Sequence, residues 1–297
     1  MAVETNKIHS KKFMPAKSDV IFKLLFGNDL NKDILVKFLS AVLKLPLDEY
    51  NEIKINDPHN KRKYKDDKLT ILDIKLSTAT GKIINIEIQL QVSLEMRERI
   101  VFYNSRMMAE QLGSGDSYDS IKKTISIVIA GDELLPEHNS YHDTFTLYSP
   151  ITKTEFTDII EIHTLELSKL PSIADGTDLF NWLEFINANN EEELAMIAER
   201  NPIMQTPVDK LLELNHDAYA REIFEAREKQ RRDTESIRAS AVKKATEDGI
   251  KQGVQQGIKQ GVQRGINLGA TRLLELIQAG LTPEDAMAKI ENENSNN

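Results

Sequence analysis

The clearest hydrophobic pattern in the chain is a strict alternation of apolar and polar residues over positions 84–92. Even-numbered positions carry Ile, Leu or Val, and the odd-numbered positions between them carry Asn, Glu or Gln. A period of two is typical of a β-strand that buries one face. We therefore predict a strand over 83–92, preceded by a second strand over 69–77. Thr80-Gly81 between them indicates a turn, so the pair is expected to form a hairpin.

Helical periodicity flanks this hairpin. Residues 18–27 and 31–46 predict two helices, with Ser18 and Asn31 as N-caps and Gly27 and Pro46 as the stops. Residues 94–112 predict a third helix. The apolar run at 125–129 is typical of a central strand, and further strands are expected at 145–148 and 159–167. Strands separated by helices predict an α/β layered domain over 13–170.

The rest of the chain is helical in pattern, with a helical region over 171–232 and a tail over 233–297. The tail repeats glycine at every fourth position, at Gly249, Gly253, Gly257, Gly261, Gly265 and Gly269. Four-residue spacing keeps these glycines on one ridge of a helix, where two backbones could approach closely. Two interpretations stay open: a surface for self-association or for docking another helix, and a repeat-expanded, partly disordered tail.

Composition narrows the class of protein. The 297 residues carry a formal net charge of -9, so any contact with nucleic acid has to rest on a local basic patch. Cysteine is absent, which excludes disulfides and thiolate chemistry. No run approaches the ~18 apolar residues of a membrane span, and the N-terminus lacks the apolar stretch of a secretory signal. We expect a soluble cytoplasmic protein.

Candidate chemistry lies on the odd face of the hairpin. Asp73 and Glu87 both stand seven residues from Thr80, so folding about that residue sets them opposite each other, with Cβ atoms ~5 Å apart. Two carboxylates this close repel unless a positive charge lies between them. A hard cation such as Mg²⁺ meets that need and can assist phosphodiester hydrolysis. The alternative is an ordinary solvated sheet face, although Asp is disfavoured inside strands.

These residues also carry a family resemblance. The matching segments are Ser-Asp-Val-Ile-Phe-Lys-Leu-Leu-Phe-Gly at 18–27, Leu-Asp-Ile-Lys at 72–75 and Ile-Asn-Ile-Glu-Ile-Gln-Leu-Gln at 84–91. The helix with Arg99, Tyr103 and Met107 and the stretch 111–118 complete the set. Over roughly 14–170 the chain resembles the bacterial recombination-promoting nuclease / putative transposase family, a branch of the PD-(D/E)XK nuclease superfamily.

The resemblance implies a restriction-endonuclease-like core, a mixed sheet flanked by helices, and cleavage of DNA with Mg²⁺ or Mn²⁺. It implies that Asp73 and Glu87 bind the metal and that Asp19 assists. At the position of the superfamily's Lys this chain has Gln89, which we expect to help position the water, and Leu72 replaces the Pro. Lys75, on the face of Asp73, could supply a charge or could be an ordinary solvated lysine.

DNA is the expected partner. The densest basic cluster lies just before the strand of Asp73 and comprises Lys61, Arg62, Lys63, Lys65 and Lys68, with a smaller one at Lys11, Lys12 and Lys17. Contacts of such clusters with phosphates would be independent of sequence and sensitive to salt. His138 and His142 stand four apart in a segment that predicts a loop, so no zinc site is expected. The chain is thus predicted to be a metal-dependent DNA endonuclease that promotes recombination or mobile-element movement. The alternative is a catalytically inactive nuclease fold that binds DNA or protein, assembled through its tail.

Overall fold

The computed structural model of the chain describes residues 12–56 and 74–295. Its first two helices are α1 (Asp19–Phe26) and α2 (Lys32–Leu43). Ser18 and Asn31 occupy the predicted N-cap positions, although neither side chain makes a capping hydrogen bond. Helix α2 ends three residues before Pro46, because Lys44 adopts the left-handed conformation with φ 50° and terminates the helix itself.

Six strands form one mixed sheet in the order β1-β2-β3-β4-β6-β5. The strands are β1 (Lys54–Asn56), β2 (Ile74–Ser77), β3 (Ile83–Gln89), β4 (Thr124–Ala130), β5 (His142–Tyr148) and β6 (Glu155–Glu166). The central strands β3, β4 and β6 are parallel, and the others pair antiparallel. Helix α3 (Met96–Ala109) crosses over between β3 and β4. Strand β4 is buried along its whole length, as its apolar run predicts.

The β2–β3 hairpin has the register expected from the alternation, with Ile74 opposite Ile86 and Leu76 opposite Ile84. The turn requires a glycine because Gly81 has φ +86°, which disfavours a side chain. Buried Glu49 holds the turn by accepting hydrogen bonds from Thr78 and Thr80 and by pairing with Lys82. The remainder of the predicted first strand, residues 69–73, lies outside the described residues.

The two faces of the sheet are covered differently. The even-numbered side chains of β3 and the odd-numbered ones of β4 pack under α1 and α2 in the main hydrophobic core. The opposite face packs against α3, where Met96 and Ile100 meet Val128 and Ala130. Helix α3 therefore covers the face on which the candidate acid Glu87 lies.

Three helices follow the sheet and join the main core: α4 (Asp178–Asn187), α5 (Glu191–Arg200) and α6 (Gln205–His216). Trp182 of α4 packs on Phe26 and Phe38, with ring centroids 6.0 and 5.9 Å apart. Asn215 at the end of α6 accepts from Met14 N at 2.8 Å and donates to Met14 O at 3.0 Å. These contacts tie the helices to the first described residues of the chain.

The chain ends in a long helix, α7 (Ala218–Gln278), and a final helix, α8 (Pro283–Ser295). The chain consists of two compact units, of which the first ends at Arg227 and the second begins at Glu228. Within the second unit Arg272 of α7 pairs with Glu293 of α8 at 3.2 Å, and the glycine repeat lies inside α7. A mixed sheet flanked by helices and followed by helical structure confirms the predicted fold class. Among the described helices, none has both the length and the apolar character needed to cross a bilayer.

Candidate active site

Glu87 lies near the end of β3 and is buried, with 3 % of its surface exposed. Asn85, two residues earlier on the same face, is equally buried. Both point away from the main core, into the layer that α3 covers, because successive strand residues alternate between the two faces. The alternative of an ordinary solvated face therefore does not hold for these two side chains.

Two side chains hydrogen-bond to the same oxygen of Glu87. Gln89 Nε2 donates to Oε1 at 2.9 Å, and Arg99 Nη2 of α3 donates to Oε1 at 2.5 Å. The Arg99 guanidinium also lies 5.9 Å from the ring centre of Tyr103, one helical turn further along α3. The acid is thus held by an amide of its own strand and by a cation from the covering helix.

Burial raises the pKa of Glu87 above its ordinary value, and the Arg99 charge and the hydrogen bond from Gln89 act against that rise. A buried carboxylate keeps its charge only when a cation or several donors lie beside it. A place that keeps a carboxylate buried next to a cation is also a place where a metal ion could be held.

The side-chain oxygen of Asn85, on the same strand face as Glu87, is buried without a hydrogen-bond donor among the described residues. Asn104 Oδ1 on α3 is in the same state. Asn104 Nδ2, by contrast, donates to Ser126 Oγ at 2.9 Å. Carboxylate and amide oxygens are the ligands that Mg²⁺ and Mn²⁺ prefer, so the donor chemistry around Glu87 fits a hard divalent cation.

Several predicted site residues lie outside the described residues. These are Asp73, which directly precedes Ile74 in the chain, and the basic cluster Lys61, Arg62, Lys63, Lys65 and Lys68. Within the described ranges, no group of three or more acidic or histidine side chains is arranged to hold a metal ion. The described part of the predicted metal site is therefore Glu87 alone.

The structure does not join Asp19 to Glu87. Asp19 begins α1, where its Oδ1 accepts from Val20 N at 2.9 Å and its Oδ2 accepts from Arg227 Nε at 2.7 Å. Lys17 is also engaged elsewhere, because its Nζ donates to the carbonyl and the side-chain oxygen of Asn187 at 3.1 and 3.0 Å.

Lys75, the other cation considered for the site, is directed to the far end of α3. Its Nζ lies 3.6 Å from Glu110 Oε2, and its backbone pairs with Asn85 in the sheet. The sequence pattern over 94–112 places Arg99 in a helix but indicates no role for it in the site. Arg99 is twelve residues from Glu87 in the chain, and the two side chains meet only because α3 packs on the sheet. The sequence alone therefore does not indicate this contact.

A second polar cluster lies on β5 and β6, on the opposite face of the sheet. His142 begins β5 rather than lying in a loop, and its Nε2 lies 2.9 Å from His163 Nδ1. His163 Nε2 lies 2.6 Å from Glu161 Oε1, and Glu161 Oε2 pairs with Lys123 Nζ at 2.6 Å. Burial and the neighbouring His163 lower the pKa of His142 to about 4.

Comparison with known protein families shows a match over residues 16–241 to the PD-(D/E)XK nuclease family transposases. The matched region includes the whole sheet, α3, helices α4 to α6 and the first part of α7. No curated protein and no solved structure was found to match the chain. Because the family match spans more than half of the 297 residues, the chain belongs to the PD-(D/E)XK nuclease family transposases.

Proposed function

We propose that this protein is a divalent-metal-dependent DNA endonuclease that hydrolyses phosphodiester bonds. The supporting observation is Glu87, a carboxylate buried in a central strand beside a cation and an amide. The hairpin register adds to it, because the last described pair is Ile74 opposite Ile86. A ladder continued by one pair would set Asp73 opposite Glu87, at the separation of directly opposed strand residues.

In this proposal Asp73 and Glu87 bind Mg²⁺ or Mn²⁺, and Gln89 helps to position the attacking water. Asp19 pairs with Arg227 and does not contact Glu87 in the described structure, so the proposal gives it no direct role at the metal. When bound, such a cation lowers the pKa of a coordinated water and neutralises charge on the phosphate. The buried setting of Glu87 keeps bulk water away from the carboxylate, which strengthens its electrostatic contacts.

The DNA backbone would be bound by the basic cluster Lys61, Arg62, Lys63, Lys65 and Lys68. Contacts of this kind position a duplex without reading its sequence, and they weaken steeply with salt. The biological role that follows is to promote DNA recombination or the movement of a mobile element, in the bacterial cytoplasm.

Cleavage of supercoiled plasmid in Mg²⁺ and in Mn²⁺ tests the proposal. We expect nicking by the parent and a loss of at least about 100-fold in Asp73→Ala and Glu87→Gln, since each removes a charge that the chemistry needs. Glu98→Gln is the matched control, because it removes the same charge from an exposed position on α3. Equal nicking by all four proteins would reveal a contaminating nuclease and contradict the assignment of the site.

An inactive nuclease fold that binds DNA or protein is the second candidate, and the neutral Gln89 at the motif position favours it. Its signature would be plasmid that stays intact in both metals while the protein still binds a DNA duplex. Salt-dependent binding that weakens after Lys61→Gln and Lys63→Gln would then identify the basic cluster as a DNA-binding surface.

We also propose that the tail joins two copies of the chain. In α7 the Ile and Val side chains that follow the repeat glycines are 55 to 63 % exposed, namely Ile250, Val254, Ile258, Val262 and Ile266. The row of glycines forms a groove beside this ridge, since a Cβ atom added at any of the repeat glycines would meet nothing within 4 Å beyond the helix's own backbone and the adjacent residues. Ridges and grooves along rows of four residues are the surfaces that interlock when two helices cross.

Light scattering on a chain that ends at Arg232 tests this association. We expect the deletion to reduce the molar mass from that of an oligomer to that of a monomer. A full-length protein with Val254→Gln, Ile258→Gln and Val262→Gln should behave like the deletion, because it keeps the glycines and removes the ridge. An unchanged molar mass in both variants would refute the role of the tail.

A further inference from the structure

The candidate active site has a cation that the motif does not predict. Gln89, at the position where the superfamily has Lys, is neutral, whereas Arg99 reaches the same carboxylate oxygen of Glu87 from α3. The amide of Gln89 and the guanidinium of Arg99 thus converge on one atom. A positive charge lies next to the candidate metal ligand although the strand itself does not supply it.

Two other basic residues singled out in the sequence are engaged at other places. Lys75 pairs with Glu110 at the far end of α3, and Lys17 is bound to Asn187. Within residues 12–56 and 74–295, Arg99 is the cationic side chain that contacts Glu87.

The local structure fixes Arg99 in this position. Arg99 lies in the first turn of α3, and only a short connection separates that turn from the end of β3. On one side the guanidinium meets Glu87, and on the other it lies over the ring of Tyr103. Both contacts restrict the rotamers of a long side chain, which is a requirement for a group that acts on a substrate.

Arg99 also has more N–H donors than its contact with Glu87 uses. A guanidinium carries five N–H donors in a planar fork, and Glu87 accepts a hydrogen bond from Nη2. The side chain is 36 % exposed while the contact with Glu87 is kept, so it remains accessible from solvent. This combination suits the binding of a phosphate oxygen, for which Arg is well matched in geometry.

We infer that Arg99 is a catalytic residue of this site: its guanidinium binds the scissile phosphate and supplies the positive charge that is absent at Gln89. This inference rests on the proposed nuclease function. In the protein without DNA the same guanidinium competes with a divalent cation for Glu87 Oε1, because both are attracted to that oxygen.

Two measurements on the full-length protein test the inference. The first is the rate of plasmid nicking under single-turnover conditions. Arg99→Gln removes the charge and keeps a donor, and we expect a loss of about 100-fold. Arg99→Lys keeps a charge without the fork and should lose about tenfold. Adding Gln89→Lys to Arg99→Gln should recover at least about tenfold, because it returns a positive charge beside Glu87.

The second measurement is Mn²⁺ binding by the DNA-free protein at pH 8, followed by the loss of the free-ion signal in electron paramagnetic resonance. Arg99→Gln should bind Mn²⁺ several-fold more tightly, since a competing positive charge has been removed. Arg97→Gln is the matched control. It makes the same substitution two residues away on α3, where Arg97 pairs with Glu137, and should change neither measurement.

The outcomes separate this inference from the proposed function. If the parent does not nick plasmid, the nuclease proposal fails, and an unchanged or weaker Mn²⁺ affinity in Arg99→Gln then overturns the inference as well. If the parent nicks and folded Arg99→Gln keeps the full rate, the inference alone is wrong. Should Arg99→Gln fold poorly, Arg99→Lys and the double variant decide: a purely structural role predicts rates that follow the melting temperature, without rescue by Gln89→Lys.

Discussion

Single residues in the sheet respond to pH through buried polar contacts. His142 is neutral in the folded protein at neutral pH because burial and His163 lower its pKa to about 4. An unfolded chain has an ordinary histidine pKa near 6.5, so between about pH 6.5 and 4 the unfolded state binds the additional proton. The stability contributed by the neutral imidazole is therefore complete above pH 6.5 and is lost as the pH falls toward 4.

We predict that the free energy of unfolding decreases by about 1–2 kcal/mol across this window after allowance for solvent screening. Urea denaturation at pH 7.5 and at pH 4.5 measures it. In His142→Gln the decrease over this range should be clearly smaller. An identical pH profile in the variant would contradict the prediction.

Glu161, which contacts His163 in the same cluster, loses its charge at a lower pH than the range in which His142 becomes protonated. The hydrogen bond from His163 is the main cause that lowers the pKa of Glu161 to about 2, and burial opposes it. The contribution of Glu161 is present above about pH 4.5 and is lost only below it. The two steps can thus be told apart by pH. The charged groups facing His142 are Asp143, whose charge raises its pKa, and Lys44, whose charge lowers it.

Residue-level patterns predicted one half of the candidate site. Alternation in β3 is a local property of the chain, so the faces of Glu87 and Gln89 and the register with Ile74 could be predicted from it. The partner Arg99 could not be predicted, because its contact depends on how α3 packs on the sheet. Burial of Asn85 has the same cause, since a polar residue on a strand is compatible with solvent until a helix covers it.

At the scale of elements, the ends of β3 and β4 approach each other so closely that one position requires glycine. Gly131 N donates to Gln89 O at 2.9 Å. A Cβ atom at Gly131 would lie 2.6 Å from the carbonyl oxygen of Leu90 and 2.8 Å from its Cα. These are backbone atoms, so the strands themselves would have to separate at the end that carries Gln89.

We predict that Gly131→Ala destabilises the first unit by about 1–3 kcal/mol, the usual cost of inserting atoms into a packed region. Urea denaturation followed by the fluorescence of Trp182, the one tryptophan of the sequence, measures it. Gly257→Ala is the matched control. A Cβ atom added at Gly257 would meet nothing within 4 Å beyond its own helix backbone and the adjacent residues, so the Trp182 transition should not change. A Gly131→Ala variant as stable as the parent would show that the strand ends adjust freely.

Element boundaries were less predictable than element types. The predicted helix to Pro46 stops at Leu43 because Lys44 takes a left-handed conformation, a choice that no periodicity records. Strand β6 begins at Glu155, four residues before the predicted start, since its first part pairs only with β5 and is largely exposed. A strand without a buried face leaves no hydrophobic alternation from which to predict it.

At the scale of the whole molecule, the main core of the first unit draws on widely separated parts of the chain. Helices α4 to α6 place Trp182, Phe185 and Leu211 in the same core as Phe22 of α1 and Ile127 of β4. The match to the family likewise continues beyond the sheet, to residue 241. Apolar spacing in these helices predicted that each has a buried face, but it did not indicate which element each face would cover.

The paired hydrogen bonds between Met14 and Asn215 have a consequence for the time during synthesis at which the first unit can close. During synthesis β3 leaves the ribosome well before its parallel neighbour β4 and before β6, which pairs with β4, and Asn215 follows later still. A nascent chain therefore carries Glu87 for many residues before the main core on the other face of the sheet can close, since non-local pairings have to wait for both partners. Closure of the main core that supports the sheet is expected to be a late event of translation, completed only when Asn215 at the end of α6 reaches Met14.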